Sequence, residues 1–186
     1  MALNEELKKE IIKRADNKLF IIVNKIANIK TNKKLLGAIK ADFYLAFENK
    51  MIDVELIEKY KEEFNAESIY ANVDVNSGYL LANGKGVVSA RGKSTVIASG
   101  KSTVIAWDNA MVTASDNSTI DAWDNATVTA SGKSTVTATN NAKVTAWGNT
   151  TVKAYDSATV TAWDTATVRA SDNATVKAYD NATVTA

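Results

Sequence analysis

Hydrophobic residues follow two different spacings along this chain, and the change from one to the other comes near residue 66. Before that point, leucine, isoleucine and phenylalanine recur three or four residues apart, which is typical of amphipathic helices. From Ile69 onward, small apolar residues alternate with polar ones, which is the spacing of strands that bury one face. The pattern therefore predicts a helical segment followed by a longer segment of strands.

Residues 1–66 are predicted to form three or four amphipathic helices. Short polar residues that favour helix N-caps precede most of the apolar runs. The expected caps are Asp16 or Asn17, Asn32 and Asp53. The apolar runs that follow a cap, or that begin the chain, are 3–12, 19–27, 35–47 and 56–64.

One eight-residue unit recurs without insertion or deletion from about residue 87 to the last residue. Its consensus is Ala-Thr-Val-Thr-Ala, then Trp, Ser or Tyr, then Asp or Gly, then Asn or Lys. The first five residues alternate, which predicts a short strand with alanine and valine on its buried face. The last three residues suit a tight turn. Such a unit buries its apolar face only by stacking on copies of itself, so the repeat predicts a solenoid.

The aromatic residues indicate how many units form one coil, because every Trp or Tyr after Leu81 stands three residues after the repeat valine. When the residues at this position are grouped at intervals of sixteen, similar residues fall into the same column, whereas intervals of twenty-four give no such grouping. One column is then Ser99, Ser115, Ser131, Trp147, Trp163, Tyr179 and the other is Arg91, Trp107, Trp123, Thr139, Tyr155, Ser171. We therefore predict two units per coil and two parallel sheets. A fibre in which three chains each supply one face remains the alternative.

These patterns predict an α+β protein with three parts: a helical anchor or cap (1–66), short strands that lead into the repeat (67–86), and a parallel β-solenoid (87–186). The last unit, which ends at Ala186, shows no capping element, and an unpaired strand edge favours association. We expect a homo-oligomer or a partner docked on the last coil. The helices are expected to attach the chain to a larger assembly.

Composition removes several classes of function. The chain has no cysteine and no histidine, so disulfides, thiolate metal sites and the commonest general base are absent. A net charge of +1 gives no general attraction to nucleic acid or anionic membranes. The charged N-terminus is unlike a signal peptide, and no apolar run is long enough to span a bilayer. We expect a soluble protein made in the cytoplasm, with no cofactor, no metal and no catalytic activity.

Gly-Lys-Ser-Thr occurs at Gly92, Gly100 and Gly132 and matches the end of a phosphate-binding loop. The full motif needs another glycine five positions earlier and a helix afterwards. The earlier glycine is missing in all three segments, and a strand is predicted to follow each of them in place of a helix. We therefore interpret these segments as turns.

The aspartate column and the threonine ladders each suggest a function, but a structural role in the repeat explains both of them better. Stacked aspartates suggest calcium binding, but the glycine-rich loop of calcium-binding repeats is missing, and a turn requirement fits better. Threonine ladders resemble the flat arrays of ice-binding solenoids. Charged residues interrupt that array at Asp121, Lys143, Lys153, Arg169 and Lys177. We therefore interpret the ladders as solvated strand faces.

The aromatic columns are the best candidates for binding. Exposed rings beside Asp and Asn suit stacking on sugars or contact with a protein partner. The alternative is that the rings only cover one another along the ladder. The candidate binding residues are Trp107, Trp123, Trp147, Tyr155, Trp163 and Tyr179.

The segment from Tyr155 to Trp163, Tyr-Asp-Ser-Ala-Thr-Val-Thr-Ala-Trp, resembles the octapeptide-repeat proteins of gut bacteria and their bacteriophages. The resemblance covers the repeat segment and not the helices. It implies a β-solenoid and a role on a virion or cell surface, and it transfers no functional residues. We therefore predict a non-enzymatic stalk, decoration or fibre module of a virion, anchored by its helices. The alternative is a glycan- or protein-binding module that uses the aromatic columns.

Overall fold

The computed structural model of the chain describes residues 4–15 and 26–186. These residues form two compact units, Met1–Ala71 and Asn72–Ala186. The class is α+β, with a small helical unit followed by a parallel β-solenoid, as the sequence predicts. Among the described residues, no helix combines the length and the apolar character needed to cross a bilayer.

The helical unit is built from short helices and one short strand. Its described elements are α1 (Glu5–Arg14), α2 (Asn32–Ala41), α3 (Phe43–Glu48), α4 (Val54–Lys59), α5 (Lys61–Ala66) and β1 (Ile69–Ala71). Most of the apolar side chains that the helical spacing predicts to be buried are inaccessible to solvent, including Leu7, Ile11, Leu35, Leu36 and Phe64, whereas Ile12 and Phe47 are half-buried. Strand β1 lies against α4 and α5.

Short polar residues cap three of these helices. The side chain of Asn4 accepts from the amides of Glu6 and Leu7, each at 3.1 Å. Asp53 caps α4 as predicted, since its Oδ1 accepts from the amide of Leu56 at 2.7 Å. The predicted cap at Asn32 is wrong by one residue, because Thr31 caps α2. The Asn32 side chain instead accepts from the backbone of Asn4 at 2.8 Å.

Two of the predicted helices are each broken in two. The run 35–47 divides at Asp42, and the run 56–64 divides at Tyr60. Both residues leave the helical region, with φ −128° and ψ 46° at Asp42 and φ −116° and ψ 43° at Tyr60. The apolar spacing continues across each break, so periodicity alone does not reveal it. Of the helix predicted over 19–27, residues 26–27 are helical and the rest, with its cap at Asp16 or Asn17, lies outside the described residues.

An ion-pair network joins α1 to α4. The Glu10 carboxylate accepts from Lys59 Nζ at 2.7 Å, from Arg14 Nη2 at 3.1 Å and from the Tyr60 hydroxyl at 3.1 Å. The hydrogen bond from Lys59 is the main reason why the pKa of Glu10 is lowered. Arg14 also pairs with Asp53 at 2.7 Å, so the same network holds the residue that caps α4.

The solenoid consists of short strands that alternate between two parallel sheets. The strands are β2 (Tyr79–Ala82), β3 (Val87–Ala90), β4 (Thr95–Ala98), β5 (Thr103–Ala106), β6 (Met111–Ala114), β7 (Thr119–Ala122), β8 (Thr127–Ala130), β9 (Thr135–Ala138), β10 (Lys143–Ala146), β11 (Thr151–Ala154), β12 (Thr159–Ala162), β13 (Thr167–Ala170), β14 (Thr175–Ala178) and β15 (Thr183–Thr185). Even-numbered strands from β2 to β14 form sheet A, and odd-numbered strands from β3 to β15 form sheet B.

Each strand pairs in register with the strand sixteen residues away. Val128 lies beside Val144, and Val144 lies beside Val160. Two units therefore make one coil within a single chain, which is the predicted arrangement and not the three-chain alternative. Strand β2 already obeys this register, because Tyr79 pairs with Thr95. The regular coils thus begin one strand before residue 87.

We number the repeat unit so that its valine is position 3. Position 1 is then the residue before the strand, position 6 the aromatic position, and positions 7 and 8 the turn. The amide at position 1 donates to the carbonyl at position 6, as from Ala110 to Trp107 at 3.1 Å. Position 7 has positive φ, 59° at Asp108. Positive φ is unfavourable for most L-residues and is best tolerated by Gly, Asn and Asp, which explains why these residues occupy position 7.

The interior of the solenoid is thin and closely packed. Valine at position 3 and alanine at position 5 are inaccessible or nearly so through most of the stack, as at Val136 and Ala138. Alanine or serine also fills most of position 1, as at Ala126 and Ser118, both with no exposed surface. Because these interior side chains are almost completely buried, every interior position is expected to tolerate little added volume.

Buried hydroxyls at position 1 follow a rule that the sequence analysis did not find. The hydroxyl donates back to the position 6 carbonyl, as from Ser118 to Ser115 at 2.8 Å and from Thr150 to Trp147 at 2.6 Å. The exception is Ser102, whose hydroxyl is buried and has no partner among the described residues. A buried hydroxyl without a partner costs about 1–3 kcal/mol.

Replacing Ser102 with alanine, the consensus residue at position 1, is expected to stabilise the solenoid by about 1 kcal/mol. The variant removes an unpaired polar group and leaves the turn unchanged. Urea denaturation followed by circular dichroism measures the effect. Ser118→Ala is the matched control, because it removes a hydroxyl that is hydrogen-bonded, and we expect it to be neutral or slightly destabilising. Equal effects of the two variants would contradict this account.

Candidate binding surface along the aromatic columns

The six predicted binding residues all lie at position 6, where each strand enters its turn. Their backbone amides continue the ladder between coils, as from Trp123 to Ala106 and from Trp163 to Ala146, both at 2.9 Å. Each ring is therefore held one coil from the next residue in its column. The fold places the six residues in the two columns that the sixteen-residue grouping predicts.

In both columns, adjacent aromatic rings stack on one another. On the sheet A side, Trp147 and Trp163 have centroids 5.2 Å apart with planes at 6°. Tyr179 continues that stack, with its centroid 4.1 Å from that of Trp163. On the sheet B side, Trp107 and Trp123 stack at 5.2 Å. The inner faces of these rings cover one another, and such contacts contribute about 0.5–1.5 kcal/mol each beyond the area that they bury.

A cation extends the stack on the sheet B side. The guanidinium of Arg91 lies over the ring of Trp107, with Cζ 5.5 Å from the centroid. Arg91 was not among the predicted binding residues, although the sixteen-residue grouping places it directly before Trp107. Cation–π contacts at such distances are favourable by about 0.5–1 kcal/mol at exposed sites.

Tyr155 differs from the other five aromatic residues. Its neighbours in the column are Thr139 and Ser171, so no aromatic ring covers either face. Within the described part of the chain, its ring takes part in no stacking contact, and its side chain is 39% exposed. It is therefore the aromatic residue of the columns whose ring faces are least occupied.

Two cations lie on the strands beside this ring. Lys153 and Arg169 are directly paired on β11 and β13 of sheet B, both at position 4 and both exposed. Neither side chain forms an ion pair or a hydrogen bond to another residue in 4–15 or 26–186. They line a recess of about 340 Å³ together with Tyr155, Ala170, Ser171, Thr185 and Ala186.

The aspartate columns at position 7 have a structural use. Each carboxylate accepts from the backbone amide of the preceding coil, as Asp108 does from Gly92 and Asp164 does from Gly148, both at 3.0 Å. Asn140 occupies one such position, and its side chain donates to Asp124 at 3.1 Å. The carboxylates are thus engaged by amide donors and lie at positive φ, as the turn interpretation predicts.

The remaining motifs lie in the turns as well. The three Gly-Lys-Ser-Thr segments place glycine at position 7, with φ of 61° at Gly92 and 70° at Gly132, and a strand follows each. No helix N-terminus is presented to a phosphate there. Among the residues that the structure describes, no group of three acidic, histidine or cysteine side chains is arranged to hold a metal ion.

Comparison of the chain with protein-family models, with curated proteins and with solved structures gives no match. The resemblance to octapeptide-repeat proteins therefore stays a prediction. The roles of the six aromatic residues in binding also stay predictions, since the structure shows where they lie and not what they contact.

Proposed function

We propose that this protein is a non-enzymatic structural module, a β-solenoid stalk or fibre element that its helical unit anchors to a larger assembly such as a virion. The observation that carries the proposal is the unbroken register of the coils. From β2 to β15, every strand pairs in parallel with the strand sixteen residues away, with no bulge, insertion or change of register.

A regular stack of this kind suits a load-bearing spacer. Each coil is joined to the next by backbone hydrogen bonds along both strands and in both turns. Length is then set by the number of units alone, as in other solenoids whose repeats contact only their neighbours. Enzymes and tight binding proteins instead concentrate their chemistry in irregular loops, whereas the strands of this solenoid are joined by four-residue connections with a positive φ at position 7.

The helical unit offers a surface for anchoring. Tyr44 and Leu45, adjacent on α3, are large hydrophobic residues that are 47% and 41% exposed. Exposed apolar side chains that neighbour one another are typical of contact sites between proteins. The proposal assigns α3 to the contact through which copies of the chain join into the larger assembly.

The mass of the full chain in solution tests this role. Size-exclusion chromatography with light scattering is expected to show multimers whose proportion rises with protein concentration. Leu45→Lys should return the protein to a monomer, whereas Val87→Lys, which alters a more exposed apolar residue on β3, should not. A monomer at all concentrations would contradict the proposal, and so would equal effects of the two substitutions.

A second candidate function is binding of saccharides by the aromatic columns. The exposure of Trp147, Tyr155 and Tyr179 favours it. The stacking restricts it, because rings 4.1–5.2 Å apart leave no space for a sugar between them. Ring faces without an aromatic neighbour remain available, and Tyr155 is the clearest of these.

A further inference from the structure

We propose that Tyr155, Lys153 and Arg169 form a binding site for an acidic saccharide, that is, a sugar bearing a carboxylate. The ring of Tyr155 would receive the apolar face of the sugar, and the two cations would receive its carboxylate. This inference assigns a ligand class to the second candidate function, on which it rests, and it is independent of the structural role.

The like-charged pair is the observation that favours an anionic ligand. Lys153 and Arg169 are directly opposed on adjacent strands, an arrangement that destabilises a sheet because the two charges repel. The other charged residues at position 4 have no like-charged neighbour on the adjacent strands. Asp121 has Ile105 and Thr137 as its neighbours, and Lys177 has Thr161. Threonine is the common residue at this position, so two adjacent cations depart from the repeat at a cost to stability that a bound anion would remove.

The geometry suits a carboxylate beside a flat ring. Position 4 and position 6 of one strand point to the same side, so Lys153 and Tyr155 face the recess together, as do Arg169 and Ser171 on the next coil. The planar guanidinium of arginine binds carboxylates with two parallel hydrogen bonds, and lysine adds a second charge. The hydroxyl of Ser171 donates to Asp172 and can still accept a hydrogen bond from a sugar hydroxyl.

Asp156 and Asp172, which follow the lining residues Tyr155 and Ser171 in the sequence, are already hydrogen-bonded. Asp156 accepts from the amide of Asn140 at 3.1 Å. Asp172 accepts from the amide of Asp156 and from the Ser171 hydroxyl, both at 3.3 Å. Neither carboxylate forms an ion pair with Lys153 or Arg169, so both cations remain available to a ligand.

The extent of the site favours a saccharide over a nucleic acid. Binding to a nucleic acid backbone requires a row of cations that follows the phosphates. Here the two cations are followed on sheet B by Thr137 and Asp121 in one direction and by Thr185 in the other. The two cations can therefore neutralise one anionic group of a ligand, and the ring of Tyr155 is available beside them.

Titration calorimetry with the full chain tests the site. The acidic probes are a hyaluronan tetrasaccharide and sialyllactose, and the neutral probes are chitotetraose and lactose. Lys153→Thr, Arg169→Thr and Tyr155→Ser each restore a residue found elsewhere in the same repeat position, so the coils are retained, which circular dichroism checks. Lys177→Thr is the matched control, since it removes a position 4 cation from sheet A.

At least one acidic probe is expected to bind more tightly than its neutral counterpart. Each of the three substitutions should weaken that binding at least tenfold, and Lys177→Thr should leave it unchanged. The inference is overturned if neither acidic probe binds, if Lys177→Thr is equally harmful, or if an oligothymidylate binds more tightly than either acidic probe. Binding of neutral probes that Trp147→Ala abolishes, without any preference for acidic ones, would keep the second candidate function and overturn this site alone.

Discussion

Replacing Val128 with aspartate is expected to unfold most of the solenoid. Val128 is 1% exposed and lies inside the stack, where its neighbours are valines and alanines. A carboxylate placed there has no partner, so we expect a loss of roughly 4 kcal/mol or more. Since the stability of a domain is about 5–15 kcal/mol, the change removes a large part of it. The urea midpoint followed by circular dichroism measures the loss.

Thr129→Asp is the matched control for that prediction. Thr129 is adjacent in sequence but faces solvent, and its neighbours on the sheet are Thr113 and Thr145. The same charge at this position stays hydrated and repels no neighbouring charge, so its effect is expected to lie within about 0.5 kcal/mol of zero. If both variants lost similar stability, the alternation of buried and exposed faces would be wrong.

Deleting one repeat unit, residues 127–134, is expected to exchange the two sheets for all strands that follow. Ala126 would then be joined to Thr135, and β9 would take the place of β8 in sheet A. The units are alike in length and in buried residues, so the strands still pair valine with valine. The exposed residues that follow the deletion, however, move from one column to the other. Trp147, Trp163 and Tyr179 would follow Trp107 and Trp123 in a single column of five rings.

Exciton coupling between tryptophans in the circular dichroism spectrum measures the result. The merged column should give a stronger couplet than the parent protein, with the secondary structure retained. Deletion of two units, residues 127–142, is the control, because it removes one whole coil and keeps the Trp107–Trp123 and Trp147–Trp163 pairs in separate columns. An unfolded single-unit deletion would show that the two sheets differ in more than their exposed residues.

The repeat made the solenoid predictable to the level of its register. A period of eight defined the strand and the turn, and the sorting of Trp147, Trp163 and Tyr179 into one column showed that two units make a coil. The helical unit was less predictable. Asp42 and Tyr60 interrupt runs of apolar residues whose spacing continues across the break. No local sequence signal at either residue indicates that the helix ends there. The choice of Thr31 over Asn32 as a cap depends on the distant contact of Asn32 with Asn4.

The binding candidates were predictable as positions but not as an arrangement. The sequence showed six aromatic residues at one repeat position, and it could not show which of their faces stay uncovered. Lys153 and Arg169 were noted as interruptions of the threonine ladder. Their pairing on adjacent strands follows from the sixteen-residue period, so the sequence itself contains the signal that places the two cations side by side.

The constant separation of sixteen residues between paired strands has a consequence for how this protein forms during synthesis. Parallel strands in most proteins are joined by a long crossover connection, and the entropy lost on closing that connection slows folding. Here every pairing closes a loop of the same short length, and each new coil needs only the coil before it as a template. The solenoid can therefore fold in the order in which the ribosome releases it, with no strand waiting for a distant partner.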